Sequence, residues 1–242
     1  MNFESIPIQA IGNFFPQDKN GFILNDASLA KVPKHWLPVI EKIKNAYLKH
    51  LNKQVHSIYL RGSIARGVGV DYFSDVDVFA LLRDVECRWE VASWQSSLEK
   101  KMQEEYPFVK EVEVMLSSYF KDFYKKNPRL AMVIKTQSLC IFGEDLNEEI
   151  PPFFPNEKMI LHLTWLKDDV DDFLKKEKIT KKEGQAMMKI LLRSGFELVM
   201  EKEQKYTTDL YWCYQVFSKY FPKKEKEMRG ILHLYLNPIE DV

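Results

Sequence analysis

Cysteine is scarce in this 242-residue chain: Cys87, Cys140 and Cys213 are far apart, odd in number, and form no CxxC pair. That argues against a disulfide framework or a cysteine zinc site and fits a reducing cytoplasm, with each thiol a small buried hydrophobe. Long apolar runs are missing too. No stretch approaches the roughly 18 apolar residues that a membrane helix requires, so no membrane partner is expected. The opening MNFESIPIQAIGNFF lacks a basic region, an apolar core and a small-residue cleavage site in succession, and no secretory signal is read there. Excess charge of either sign is absent, since Lys+Arg and Asp+Glu both total 35. The balance holds locally, with 19 basic and 20 acidic residues in 1–156 and 16 and 15 in 157–242. A long nucleic acid usually calls for a basic face and is disfavoured as a partner. Gly62, Gly67 and Gly69 do not spell GxGxxG and no Lys-Ser or Lys-Thr follows them, which removes the P-loop reading. The five histidines, at 35, 50, 56, 162 and 233, show no metal-ligand spacing, and there is no internal repeat or low-complexity tract.

What is present reads as two regions. Residues 1–32 carry turn chemistry, centred on Asp18-Lys19-Asn20-Gly21, and predict an irregular strap. Trp36, Leu37, Ile40, Ile43, Tyr47 and Leu51 recur at helical steps over about 33–52. Strands follow at 55–60, 75–82 and 109–116, with an amphipathic helix over 88–105 and a helix with a short strand over 128–143. Pro151-Pro152-Phe153-Phe154-Pro155 marks a boundary, giving a first domain at 1–150 and a second at 151–242. Beyond it the pattern is helical: 157–177, then a long helix to about 204 opened by a Thr180–Glu183 capping box, then 208–220, then a fourth helix from Pro222. Four antiparallel helices imply a small bundle, and the whole is an α+β chain.

The chemistry concentrates in LRGSIARGVGVDYFSDVDVFAL, residues 60–81. Strand side chains alternate, so Asp75 and Asp77 project from one face. Paired carboxylates repel unless a cation lies between them, and hard oxygen donors of this kind suit Mg²⁺. Glu113 lies in a later strand on a face shared with Val109, Glu111 and Met115. Beside the aspartates it would complete a carboxylate set able to hold two metals, with Glu111 as the competing third ligand. Gly62 and Ser63 stand at a strand-to-helix turn, where backbone N–H groups and the hydroxyl can meet phosphate oxygens. Arg61 and Arg66 flank that turn and could add charge-assisted contacts. The expected reaction follows: a nucleoside triphosphate lies on the Gly62-Ser63 turn, an acceptor hydroxyl attacks the α-phosphorus, and pyrophosphate leaves. Asp75, Asp77 and Glu113 are the expected catalytic and metal-binding residues. Glu197 and Asp209 are weighed as a general base from the second domain.

Strand, Gly-Ser, short helix, Asp-x-Asp and a later strand carboxylate together resemble the nucleotidyltransferase superfamily of DNA polymerase beta. With a helical second domain, the chain resembles in particular the two-domain aminoglycoside-type enzymes and their bacterial relatives. The resemblance implies a mixed sheet flanked by helices over roughly residues 50–145, followed by the C-terminal helical bundle. It implies ATP as the favoured triphosphate and basic residues of the helical domain closing over it, for which Arg193 and Lys205, with Tyr206, stand in the corresponding stretch. A small hydroxylated acceptor is the first expectation. Adenylylation of a protein tyrosine, as toxin-neutralising relatives perform, and a non-catalytic nucleotide-binding module are the alternatives. An RNA end-transferase is disfavoured by the neutral charge balance.

Overall fold

The computed structural model describes residues 10–87 and 90–239. The chain divides into two compact units, Leu24–Phe153 and a second made of Phe154–Val242 with the N-terminal Met1–Ile23 segment. No helix among the described residues is long and apolar enough to cross a membrane.

In the first unit, α1 (Leu37–Leu51) leads to β1 (Val55–Arg61), the single-turn α2 (Gly62–Ala65) and β2 (Asp75–Leu82). The two-residue β3 (Glu90–Val91), α3 (Gln95–Glu105), β4 (Glu111–Ser118), α4 (Phe123–Lys126), α5 (Pro128–Gln137) and β5 (Ser138–Gly143) complete it. The sheet order is β3-β4-β2-β1-β5. Only β2 and β4 run parallel; the other neighbours are antiparallel, so the sheet is mixed as expected.

One face of this sheet is the main core. Ile58, Leu60, Val76, Val78, Ala80, Val112 and Val114 pack beneath Trp36, Ile40, Ile43 and Tyr47, all buried. Each large side chain buried there contributes roughly 1.5–3 kcal/mol. Tyr47, fully enclosed, reaches Val78 O at 2.8 Å and Met115 O at 3.1 Å with its hydroxyl, pinning α1 to the parallel pair. Because β3 is so short, β4 is finished by side chains. Gln95 Oε1 accepts from Val114 N at 2.7 Å, and Glu99 Oε2 from Val112 N at 3.1 Å. The helix expected over 88–105 begins only at Gln95, because Glu90 and Val91 pair with β4 and Ala92 N donates to Val114 O. Residues 88 and 89 themselves lie outside the described residues.

The second unit holds α6 (Leu166–Leu174), α7 (Lys181–Glu197), α8 (Met200–Glu203), α9 (Leu210–Tyr220) and α10 (Glu225–Leu236). Both halves of the Thr180–Glu183 capping box form. α7 packs on α6, α9 and α10. Gly195 allows the closest approach, for a Cβ there would lie 2.4 Å from Met228 Cε and 3.2 Å from Phe217 Cδ2. Two expected helices are shorter than the periodicity suggests. The one over 157–177 is a 3-10 turn at Glu157–Met159 and α-helical only from Leu166, because the N–H groups of Leu161, His162 and Leu163 turn to the Glu197 carboxylate instead of to helix carbonyls. The one over 180–204 stops at Glu197 and resumes for one turn as α8.

The strap at 10–23 belongs to this helical unit, whereas the sequence reading grouped it with the first domain. Its backbone groups find their partners there: Phe15 N donates to Tyr206 O at 2.8 Å, Asn13 N to Asp209 Oδ2 at 2.7 Å, and Thr207 Oγ1 to Asn13 O at 2.8 Å. The turn at Asp18–Gly21 forms as its residues suggest, with Asp18 Oδ1 accepting from Asn20 N and Phe22 N.

Candidate active site

The register of three strands assembles the site. Arg61, the last residue of β1, pairs with Asp77 on β2, and Asp77 pairs with Glu113 on β4; one step earlier, Asp75 pairs with Glu111. Side chains of paired residues project from the same face. The parallel β2–β4 pairing therefore sets Asp75, Asp77, Glu111 and Glu113 on one face, opposite the core residues Val76, Val78, Val112 and Val114. On the carboxylate face the strands become buried only further along, at Phe79 and Met115. The acidic ends are half-exposed, which keeps four carboxylates from being stranded in the interior.

These carboxylates face cationic side chains. Arg61 Nη2 lies 2.9 Å from Glu113 Oε2 and 3.9 Å from Asp77 Oδ1. Lys110 Nζ is 3.2 Å from Asp75 Oδ1 but off line, so that buried oxygen accepts no hydrogen bond. Among the described residues, no three His, Cys, Asp or Glu side chains converge closely enough to hold a metal ion as they stand.

The Gly62-Ser63 turn abuts the row. Gly62 has φ +80°, the left-handed region that glycine enters without steric cost, and a Cβ built on it would stand 2.5 Å from Asp77 Oδ2. Glycine is thus required twice, for the backbone angle and for the space the carboxylate fills. Ser63 is half-buried at the start of α2. That helix has only four residues, so the helix-dipole part of the phosphate argument weakens and the contribution falls to local N–H groups and the hydroxyl.

The remaining sequence candidates are engaged elsewhere. Arg66 is buried, and its Nε donates to Asp26 Oδ2 at 3.0 Å, so it ties the Asp26 loop to the turn. The pairs with Arg66 and Lys31 outweigh the effect of burial and hold the Asp26 carboxyl below its usual range. In the helical unit, Arg193 donates through Nε and Nη2 to Thr208 O at 3.3 and 3.2 Å, and Lys205 Nζ sits 5.1 Å from the centre of the Phe14 ring. Tyr206 is buried against Phe15, with ring centres 5.3 Å apart.

Both carboxylates weighed as a general base have structural work. Glu197 is 7% exposed and accepts from the N–H groups of Leu161, His162 and Leu163 and from His162 Nδ1 at 2.9 Å. Burial would raise its pKa, but these donors prevail and hold it lowered. Asp209 receives the Asn13 N–H. Sequence reasoning missed Lys110 beside Asp75; its position one residue before Glu111, at the mouth of the parallel pair, is the signal that could have found it.

Residues 40–136, from within α1 into the last turn of α5, match the family model described as nucleotidyltransferase domain. Among solved structures, the spectinomycin adenyltransferase AAD(9) from Enterococcus faecialis, crystallised with ATP and spectinomycin, is similar at 14% identity and a TM-score of 0.47, over 83% of this chain and 90% of that one. No curated protein matches the chain.

Proposed function

We propose that the chain is a Mg²⁺-dependent transferase moving a nucleoside monophosphate, AMP from ATP first, onto a hydroxyl of a small molecule, a reading supported by the match of residues 40–136 to the nucleotidyltransferase-domain model. The observation that carries the reading is the pairing of Asp77 with Glu113 directly beside the Gly62 turn, which sets hard oxygen donors against the backbone of that turn. The chemistry of the donor set supports the metal, since the donors are carboxylate oxygens and Asp75 Oδ1 is buried without a hydrogen bond, and binding would require these side chains to draw together around the ion. Asp75, Asp77 and Glu113 would hold it, with Glu111 beside them. When bound, Mg²⁺ supplies positive charge to the reacting phosphate.

The chain's own groups then have distinct tasks. The Gly62-Ser63 N–H groups and the Ser63 hydroxyl orient the β- and γ-phosphates. The acceptor oxygen forms a bond to the α-phosphorus as the bond to the bridging oxygen breaks, and pyrophosphate leaves with that electron pair. Glu113, at the outer end of the row, would help to take the acceptor proton. The near-zero net charge favours a small acceptor over a nucleic acid.

The test is thermal unfolding of wild type and Asp75→Asn/Asp77→Asn, with and without Mg²⁺ and ATP, followed by α-labelled ATP against acceptor panels. Ligand at about 100 times its dissociation constant stabilises the fold by roughly 2.7 kcal/mol. A metal-dependent rise in wild type that the double variant lacks is expected. No rise in wild type with any triphosphate would refute the reading.

A further inference from the structure

The cation already present in the carboxylate row is a side chain. Arg61, Asp77 and Glu113 occupy one row across three adjacent strands, and a guanidinium long enough to pass Asp77 reaches Glu113. Strands are spaced about 4.8 Å apart, so the outer two members of the row stand two strand spacings apart, a span that arginine covers and lysine covers poorly. The oxygens that Arg61 approaches, Glu113 Oε2 and Asp77 Oδ1, are those a divalent cation would need. The three side chains are only partly exposed, at 28%, 25% and 39%, so their charges are incompletely screened by water. A guanidinium and a divalent cation cannot both keep the same oxygens, because like charges at such a separation repel. Arg61 is also the residue immediately before Gly62, where the triphosphate would bring new negative charge.

We infer that Arg61 is the resident counter-ion of the carboxylate row and a positioning residue of the reaction: it holds Asp77 and Glu113 together until a divalent cation displaces it, and the displaced guanidinium then pairs with phosphate oxygens at the Gly62-Ser63 turn. This rests on the metal and triphosphate reading above. Its consequence is coupling. Free metal must break the Arg61–Glu113 pair without replacement, whereas metal arriving with the nucleotide brings a new anionic partner for the arginine. Metal alone should therefore bind weakly, and metal with nucleotide well. By linkage, each ligand should tighten the other by the same factor.

The experiment titrates Mn²⁺ into wild type, Arg61→Met, Arg61→Lys and Arg61→Met/Asp77→Asn, reading free Mn²⁺ by electron paramagnetic resonance, without and with saturating ATP. A hydrogen bond between charged groups justifies a shift of about tenfold. Without ATP, Arg61→Met should bind Mn²⁺ about tenfold more tightly than wild type, Arg61→Lys should fall between, and Asp77→Asn should abolish the gain. With ATP, wild type should tighten by a larger factor than Arg61→Met. Equal Mn²⁺ affinity in wild type, Arg61→Met and Arg61→Lys, lost on Asp77→Asn, would overturn the role of Arg61 while the metal site stood. No Mn²⁺ binding by any protein, with or without ATP, would overturn the metal reading and this inference with it. Arg61→Lys keeps a cation in the row, so the comparison survives even if Arg61→Met fails to fold.

Discussion

Replacing Gly62 with alanine tests whether the turn and the aspartate must share one small volume. The added Cβ would lie 2.5 Å from Asp77 Oδ2. Ordinary contact is about 3.5 Å, so the carboxylate must retreat by about 1 Å. The backbone adds its own cost: a residue with a Cβ at φ +80° loses about 1–2 kcal/mol. For a chain of this size that lowers Tm by roughly 2–8 °C. The effect on the site should be larger than the effect on the fold, since a displacement of about 1 Å at reacting groups costs on the order of 100-fold in turnover. If Mg²⁺–ATP affinity falls only tenfold, ligand at about 100 times the wild-type dissociation constant would stabilise the variant by about 1.4 kcal/mol against about 2.7 for wild type. Gly184→Ala is the matched control: it sits in α7, where the nearest atom to a new Cβ is Ile179 Cγ2 at 3.9 Å, and alanine should stabilise by up to about 1 kcal/mol. The assay is scanning calorimetry with and without Mg²⁺–ATP, then label transfer. A Gly62→Ala protein with wild-type nucleotide response would show that the turn and Asp77 do not act on one ligand.

Glu197→Gln should change stability and its pH dependence. The folded carboxyl is lowered, so its stabilisation is complete above the ordinary carboxyl range and is lost as pH falls below about 4.5. Tm measured from pH 7 to 3 should show a shallower acid slope in the variant, and an unchanged slope would sink the assignment. Glu197→Ala should cost about 2–3 kcal/mol by orphaning the Leu161–Leu163 amides. Burial pushes the thiols up, Cys213 to about 12 and Cys140 to about 11, with Cys87 also raised. Ellman's reagent at pH 8 should therefore find almost no reactive thiol in native protein and all three in denaturant; rapid release of one equivalent from native protein would contradict this. Thr180→Ala, which removes the acceptor for Glu183 N, should cost about 1 kcal/mol, and an unchanged urea midpoint would deny the cap its role.

Elements with a strong pattern were legible residue by residue. β2 begins and ends where the Asp-x-Asp strand was expected, and α1 shows the helical face of Ile40, Ile43 and Tyr47, which Trp36 extends from the turn before it. The shared face of the carboxylates followed too, because period-two alternation alone puts Asp75 with Asp77 and Glu111 with Glu113. What escaped was decided by partners remote in sequence. The apolar period across 157–177 could not reveal that Glu197, thirty-four to thirty-six residues on, would take three amides from the first turns. Arg66 carries the same charge as Arg61 five residues earlier, yet it is consumed by Asp26, and only the folded chain distinguishes them. The affinity of the strap for residues 206–212 left no local mark.

The course of the chain has a kinetic corollary. Because the strap and the later helices form one unit, the sheet unit is a long insertion between them. The Asn13–Asp209 bond spans 196 residues, a closure that an unstructured chain reaches slowly. Entry and exit of the insertion adjoin, with the Phe22 and Phe154 rings 6.1 Å apart. Folding of Leu24–Phe153 first would shorten the effective loop and deliver the strap to its partners. During synthesis the strap would wait, unpaired, until the ninth helix has left the ribosome.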